Sequence, residues 1–535
     1  MMGLLEELGP CFVAEDSRTT YLNPWSWNNE VNMLFIDQPT QVGFSYDVPT
    51  NCTVQPIADG DEHDGGVEGS REYAVTPADF SDGLPELNLT HRVGTFSSQN
   101  ATQTENSTRV AAHSLWHFAQ TWFFEFPHYK PADNRISLWA ESYGGHYGPG
   151  FFSFFEHQNE KIANGSSPEK HAHYLHLDTL GIVNGLIDIS IQLEAWISYP
   201  FNNTYGLQLY NASVHETLMH NLTRPGGCKD KIKGCQEALR QKDPGFFIPG
   251  LYDGQLSSTD GQVNVTELCD QVIEDCINPP MQAYSAADAG FYDIAHPAAD
   301  PFPAPNMNGY LLQADTLRSL GVPVNHTAAS TTVNSVFEVT HDIARPGFLD
   351  AIAYLLSRGV KVHMMYGDRD YGCNWVGGEK SSLAVPWSRQ EKFAQAGYAP
   401  FVAAEDILGM TRQVGNYSFT RVFQAGHEVP SYQPEAAYEI FRRATFGLDI
   451  PTGLVDVTED FVTDGPTDVW HIKHDPPERP VPRCNILKPI SCSPEVWERF
   501  KAGNVTVKDY YVVEDGEGGK GSLDWDGQKP MVDEL

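Results

Sequence analysis

At 535 residues and a formal net charge of −35, the chain is too long for a minimal domain and too acidic for a nucleic-acid binder, because phosphate recognition needs a basic face. Its length suggests about three or four units, and 41% hydrophobic residues, with 28 Phe, 23 Tyr and 11 Trp, suffice for a large core. No stretch of about 18 apolar residues occurs, so nothing is expected to span a membrane.

In chain order, the start Met1-Met2-Gly3-Leu4-Leu5-Glu6-Glu7 has no basic region followed by an apolar run, so no signal peptide is read there. Residues 31–37, Val-Asn-Met-Leu-Phe-Ile-Asp, predict a buried strand. From 47 to 108 the chain is rich in Asp, Gly, Ser, Thr and Asn, which predicts an exposed insertion with little regular structure. Ala, Leu, Trp and Phe recur at helical spacing from Val110 to Phe124, with Pro127 beyond. Arg135-Ile-Ser-Leu-Trp-Ala predicts a strand running into Glu141-Ser142-Tyr143-Gly144-Gly145, and Leu177–Asn184 a second strand.

Residues 196–330 change character: four cysteines, several sequons and Pro-Gly turns suggest a cap inserted into a sheet-based domain. A helix over Pro346–Arg358 and strands over Val360–Tyr366 and Phe419–Phe423 resume the alternation. Strand, helix, strand with polar residues at each strand's carboxyl end predicts an α/β fold on a mostly parallel sheet. The expected parts are a first core segment 1–195, the cap 196–330, a second core segment 331–455, and an extended or disordered tail 456–535.

Nine cysteines leave at least one thiol without a partner in the chain. The mirrored spacing of Cys228/Cys235 and Cys269/Cys276 would suit nested bridges, 228 with 276 and 235 with 269. Cys484 and Cys492 could close a tail loop, and Cys11 and Cys52 could tie the amino-terminal region. Cys373 is then left over, although other pairings fit the same spacings. Asn-X-Ser/Thr sequons stand at Asn51, Asn88, Asn100, Asn106, Asn164, Asn202, Asn211, Asn221, Asn264, Asn325, Asn416 and Asn504. With the cysteines they point to N-linked glycans and the secretory pathway, with an extracellular or vacuolar destination. The last residues, Val532-Asp533-Glu534-Leu535, only imperfectly echo a retention signal.

Ala140-Glu141-Ser142-Tyr143-Gly144 matches a nucleophile elbow, with Ala in the first small-residue slot. The turn is tight enough that large side chains two residues either side of Ser142 would collide. The helix that follows aims backbone N–H groups, that of Tyr143 first, at developing negative charge. Asp370 and His427 follow in the order Ser, Asp, His. A serine hydroxyl is a weak nucleophile; His427 would take its proton, and Asp370 would orient the imidazole and stabilise its cation. Asp368, two residues away, is the alternative acid. Neither a metal nor another cofactor is needed.

The sequence resembles the serine carboxypeptidase family, particularly its fungal members, over almost all of residues 1–450. The matching strings include Glu7-Leu-Gly-Pro10, Asn23-Pro-Trp-Ser-Trp27 and Asp37-Gln-Pro-Thr-Gln-Val-Gly-Phe-Ser-Tyr46. They continue with Glu141-Ser-Tyr-Gly-Gly-His-Tyr147, Asn184-Gly-Leu186, Tyr366-Gly-Asp-Arg-Asp-Tyr-Gly-Cys-Asn-Trp375, and Gly426-His427 through Pro430. The resemblance implies an α/β-hydrolase fold, release of single residues from peptide carboxyl termini, and best action at acidic pH. It favours Asp370 over Asp368 as the acid. It also implies that Glu7 and Glu141 help grip the substrate's terminal carboxylate, and that Cys373 is a free thiol near the site. Carboxyls packed against a carboxylate cannot all be ionised, so one must hold a proton that rising pH removes. An Asn-Gly-Gly-Pro-Gly string that supplies another oxyanion amide in the family is absent here, which suggests a truncated start. Two alternatives stand beside the peptidase: an esterase or acyltransferase on the same triad, and a glycoprotein inactive for want of that string.

Overall fold

Tyr417–Val422, Tyr-Ser-Phe-Thr-Arg-Val, is buried at every position and therefore needs a neighbour on both edges and cover on both faces. The computed structural model, which describes residues 1–56, 73–126, 128–169, 171–242 and 265–513, supplies them. A six-stranded sheet runs in the order Arg135–Glu141, His176–Val183, Lys361–Gly367, Tyr417–Val422, Asp406–Val414, Ala399–Ala403. The first four strands are mutually parallel, and the remaining two are each joined to the preceding one by an antiparallel pairing. Registry matters for function: Glu141 pairs with Val183, Val183 with Met365, and Gly367 with Val422. Ser142, Asn184, Asp370 and His427 therefore leave the sheet along one carboxyl edge, where such sheets carry their chemistry.

The helix Thr108–Glu125 is capped by the Ser107 hydroxyl, which accepts from Val110 N, and it stops where Pro127 could not continue it. It packs against the helix Gly144–Ala163, which in turn covers the strands Arg135–Glu141 and His176–Val183. The tail begins as a strap along the sheet rather than a structureless end. Thr463 N–H donates to Gln413 O (3.0 Å), Gly415 N–H to Phe461 O (2.9 Å) and Arg412 Nη2 to Thr467 O (2.7 Å).

The chain divides into two units. The one that holds the sheet comprises Asn106–Ala295 and Phe337–Pro477; the other comprises Met1–Glu105, His296–Val336 and Glu478–Leu535. Within the sheet unit, the helices Cys228–Lys242 and Val265–Val272 are tied by nested disulfides, Cys228–Cys276 and Cys235–Cys269, with Cα separations of 5.5 and 5.0 Å. Closing loops of 48 and 34 residues, each bridge stabilises by about 4 kcal/mol on the chain-entropy account.

In the other unit, Cys484 and Cys492 are bridged. The Cys11–Cys52 tie is not formed. Cys52 is fully buried with Val54 and Phe96, whereas Cys11 packs with Leu5 and Val13 in a separate cluster. The stretch expected to have little regular structure folds, in its described parts, into a three-stranded antiparallel sheet of Thr50–Pro56, Tyr73–Pro77 and Arg92–Phe96. Residues 31–37 are not a buried strand. They form no ladder, and Leu34 and Ile36 are exposed, because no neighbouring strand pairs with them among the described residues. Asn264 and residues 532–535 lie outside the described residues. No described helix is long and apolar enough to cross a membrane.

Candidate active site

Ser142 ends the strand Arg135–Glu141, and its N–H makes a last bond to Val183 O (3.0 Å). Its φ of +62° is left-handed, a conformation that costs a non-glycine residue of order 1–3 kcal/mol and must be enforced by its surroundings. The enforcement is visible. A methyl on Gly144 would sit 2.7 Å from Ala140 Cβ, and one on Gly145 2.3 Å from Leu186 O. The Ser142 carbonyl accepts from Gly145 N (3.0 Å) and Leu186 N (2.9 Å), which locks the elbow to the next strand's exit. Tyr143 stands at the amino end of the 20-residue helix Gly144–Ala163, and its backbone N–H has no acceptor among the described residues. That donor and the helix dipole are available to an anion. The Tyr143 hydroxyl is anchored on Asp342 Oδ2 (2.8 Å), which also accepts from Thr108 Oγ1 (2.6 Å). Burial, with the Asp342 carboxylate beside it, pushes the Tyr143 phenol well above its ordinary range.

Asp370 is fully buried in the turn after Lys361–Gly367. Its Oδ2 accepts three hydrogen bonds: His427 Nδ1 at 2.6 Å, Asn184 Nδ2 at 2.8 Å and Cys373 N at 3.1 Å. His427 is held as firmly on its other side. Its backbone N–H donates to Tyr292 O (2.9 Å), and the Tyr292 ring lies 4.6 Å from the imidazole. His427 Nε2 has no hydrogen-bond partner, so a Ser142–His427 bond is not closed here; in unliganded hydrolases that bond is often loose. Asp368 points elsewhere. It is fully buried against Arg421 (Nε 3.1 Å, Nη2 2.9 Å), accepts from Gln424 N (2.9 Å) and Tyr205 OH, and has no bond to His427.

Cys373 is buried and unbridged. Burial, then the nearby carboxylates of Asp370 and Glu141, push its thiol well above its usual range. Glu141 therefore shares this neighbourhood. Donor atoms of Asp370, Cys373 and His427 lie within 4.8 Å of one another, a set that resembles a soft-metal site. The His427–Asp370 bond joins two of the three, and Cys373 is placed beside them by its backbone N–H, which donates to Asp370 Oδ2.

Glu7 belongs to the other unit, at the end of the turn Gly3–Glu7, and is buried. Asn23 Nδ2 donates to the carbonyls of Glu7 (3.4 Å) and Gly9 (3.0 Å), which ties the Glu-Leu-Gly-Pro string to the Asn-Pro-Trp-Ser-Trp string. A side chain on Gly9 would run into Leu4 O at 1.9 Å, so glycine is required there. Burial, with the Glu7 carboxylate beside it, raises the Glu6 carboxyl to about 8.

Asn184 is a site residue that no sequence motif singles out as one. It is fully buried at φ +38°, donates to Asp370, and accepts from Gly367 N (2.8 Å). Its place directly after a strand marks it in the sequence only as a turn residue; the strand register is what brings it to Asp370.

A serine-bearing elbow and an Asp–His pair on one edge of a mostly parallel sheet define an α/β-hydrolase of the serine-hydrolase class. The chain belongs to the serine carboxypeptidase family, whose model matches residues 1–63 and 89–447. It is 47% identical over 519 residues to Carboxypeptidase S1 homolog A of Arthroderma otae, covering 96% of this chain and 76% of that one. Over 532 residues it is 39% identical to the Carboxypeptidase Y homolog of Arthroderma benhamiae, covering 96% and 78%. The crystal structure of Kex1Δp, a prohormone-processing carboxypeptidase from Saccharomyces cerevisiae, superposes with a TM-score of 0.55 at 18% identity, over 87% of this chain and 83% of that one, and supports the fold.

Proposed function

We propose that Ser142, Asp370 and His427 are the triad with which this serine carboxypeptidase releases carboxyl-terminal residues from peptides at acidic pH. The observation that carries the assignment is the 2.6 Å bond from His427 Nδ1 to Asp370 Oδ2, at the sheet edge where the elbow presents Ser142. In this reading Ser142 Oγ attacks the scissile carbonyl while His427 Nε2 takes its proton. The tetrahedral oxyanion is met by the Tyr143 N–H, and His427 then returns the proton to the departing amine. Water repeats the cycle on the acyl-enzyme. Asn184 is a positioning residue that fixes the Asp370 carboxylate through its own bond to it.

Glu7 and Glu141 are each assigned a part in gripping the substrate's terminal carboxylate, and Cys373 stays a protonated thiol near Glu141. A carboxylate can be bound by carboxyls only if a proton is shared, and a site that must hold a proton works best in acid. The rise of Glu6 to about 8 beside Glu7 supports a proton held at that turn. Three disulfides and the sequons support passage through the secretory pathway, with N-linked glycans and an extracellular or vacuolar destination.

The test is a comparison of N-blocked dipeptides, the same dipeptides amidated at the carboxyl end, and matching blocked esters, between about pH 4 and 7. Free dipeptides should be cleaved fastest at the acid end, and amidation should suppress cleavage. Cleavage of esters alone would replace the peptidase by an esterase or acyltransferase. Silence of folded enzyme on every substrate would leave an inactive glycoprotein.

A further inference from the structure

Twelve Asn-X-Ser/Thr strings are equal as sequence and unequal as structure. At Asn88, Asn100 and Asn164 the asparagine is exposed and its Oδ1 is occupied by the residue two positions on. Thr90 donates both N–H (2.8 Å) and hydroxyl (2.9 Å) to Asn88. Thr102 does the same to Asn100 (3.0 and 2.9 Å), and Ser166 to Asn164 (2.9 and 2.5 Å). With Oδ1 taken by those donors, each of these exposed asparagines leaves its Nδ2 without an acceptor among the described residues. Asn416 is the opposite case. It is half-buried at the turn between two strands of the central sheet, and its Nδ2 donates to Val360 O at 2.8 Å. Its neighbour Tyr417 is wholly buried, and the Ser418 hydroxyl is bonded to the buried ring of His363 (2.8 Å).

We propose that the native protein carries N-linked glycans on Asn88, Asn100 and Asn164 and none on Asn416. The transfer uses a polyprenyl-pyrophosphate-linked oligosaccharide. The sugar C1–O bond to pyrophosphate breaks and a C1–N bond forms to Asn Nδ2. The lipid pyrophosphate leaves with the bonding electrons, and one amide proton passes to a base. The product is tolerated only where Nδ2 opens to water. A sugar on Asn416 would have to occupy the space between Nδ2 and the Val360 carbonyl, so a chain modified there cannot close this turn.

The inference rests on the reading that the chain enters the secretory pathway, and one experiment separates the two. Full-length protein purified from a eukaryotic secretory host, active on a blocked dipeptide, is treated with peptide-N-glycosidase F in heavy-oxygen water and mapped by peptide mass. Heavy Asp is expected at 88, 100 and 164 in most molecules, with the Asn416 peptide unlabelled. Asn88→Gln, Asn100→Gln and Asn164→Gln should each remove one glycan's worth of mass and leave activity unchanged. Label at Asn416 in active protein, or an unmodified Asn88, Asn100 or Asn164 in glycosylated protein, overturns the assignment. Active enzyme without any glycan overturns it together with the secretory reading.

Discussion

Asn184 gives the sharpest mutational test of how the site is held. Its side chain makes two short buried bonds, Nδ2 to Asp370 Oδ2 at 2.8 Å and Oδ1 from Gly367 N–H at 2.8 Å, beside longer ones from Nδ2 to Gly367 O and Cys373 O at 3.4 Å. Asn184→Ala deletes them, and Asn184→Gly does so without straining a backbone that sits at φ +38°. A hydrogen bond to an ionised group contributes about 1.5–3 kcal/mol. If that bond serves to fix the Asp370 carboxylate, losing it raises the chemical barrier by a similar amount, which is about 10- to 150-fold in kcat. KM should stay within about threefold, because the residue is fully buried behind Asp370. The orphaned Gly367 N–H adds about 1–3 kcal/mol of lost stability, so kinetics are measured well below the unfolding midpoint. The assay is kcat and KM on a blocked dipeptide for both variants. A similar kcat loss in Ala and Gly variants assigns the effect to the amide rather than to backbone strain. A folded Asn184→Gly enzyme with kcat within about twofold of the parent would show that the Asn184 amide does not position Asp370 for catalysis.

Two further outcomes concern stability. Arg421 and Asp368 are both wholly buried, so Arg421→Met strands a charge and should cost about 3–5 kcal/mol, lowering the melting midpoint of the sheet unit by roughly 5 °C in calorimetry. Adding Asp368→Asn should recover part of that, and additive losses would show the pair is not coupled. For Glu6, the folded carboxyl near 8 lies above its ordinary value of 4.5, so the fold binds the extra proton. That contribution is complete below about pH 4.5 and is lost as pH rises through 8. The unfolding midpoint should therefore fall across this range and fall less in Glu6→Gln; identical slopes would contradict the assignment.

Much of the sheet is legible in the sequence because its strands are dense in apolar residues and end on punctuation: Ser142 after Ala140, Asp370 after Gly367, His427 after Gly426. The elbow is legible for a steric reason that the contacts at Gly144 and Ala140 bear out. Residues 31–37 carry the same apolar density without being a strand, because a strand also needs a partner backbone, which the segment's own composition does not reveal. The choice between Asp368 and Asp370 is not decidable from the turn that carries both. It is made by Arg421, from a neighbouring strand, which occupies one carboxylate and leaves the other to His427. Asn184 is hidden for the same reason: its partner lies 186 residues away, and only the register that aligns the strand ends brings them together. The cysteines divide similarly. The mirrored spacing foreshadows the nested bridges, while Cys11 and Cys52 sit in separate clusters that no spacing rule reveals.

The central claim is that Ser142 is the nucleophile. Its most direct test is covalent: active enzyme is titrated with a fluorophosphonate, which phosphonylates activated serines, and the modified peptide is sequenced by mass spectrometry. Stoichiometric label on Ser142 with parallel loss of dipeptide hydrolysis is expected, and a Ser142→Ala protein should fold, take no label and lose activity on the order of a million-fold. Label on a different serine, or hydrolysis retained by Ser142→Ala, would contradict it.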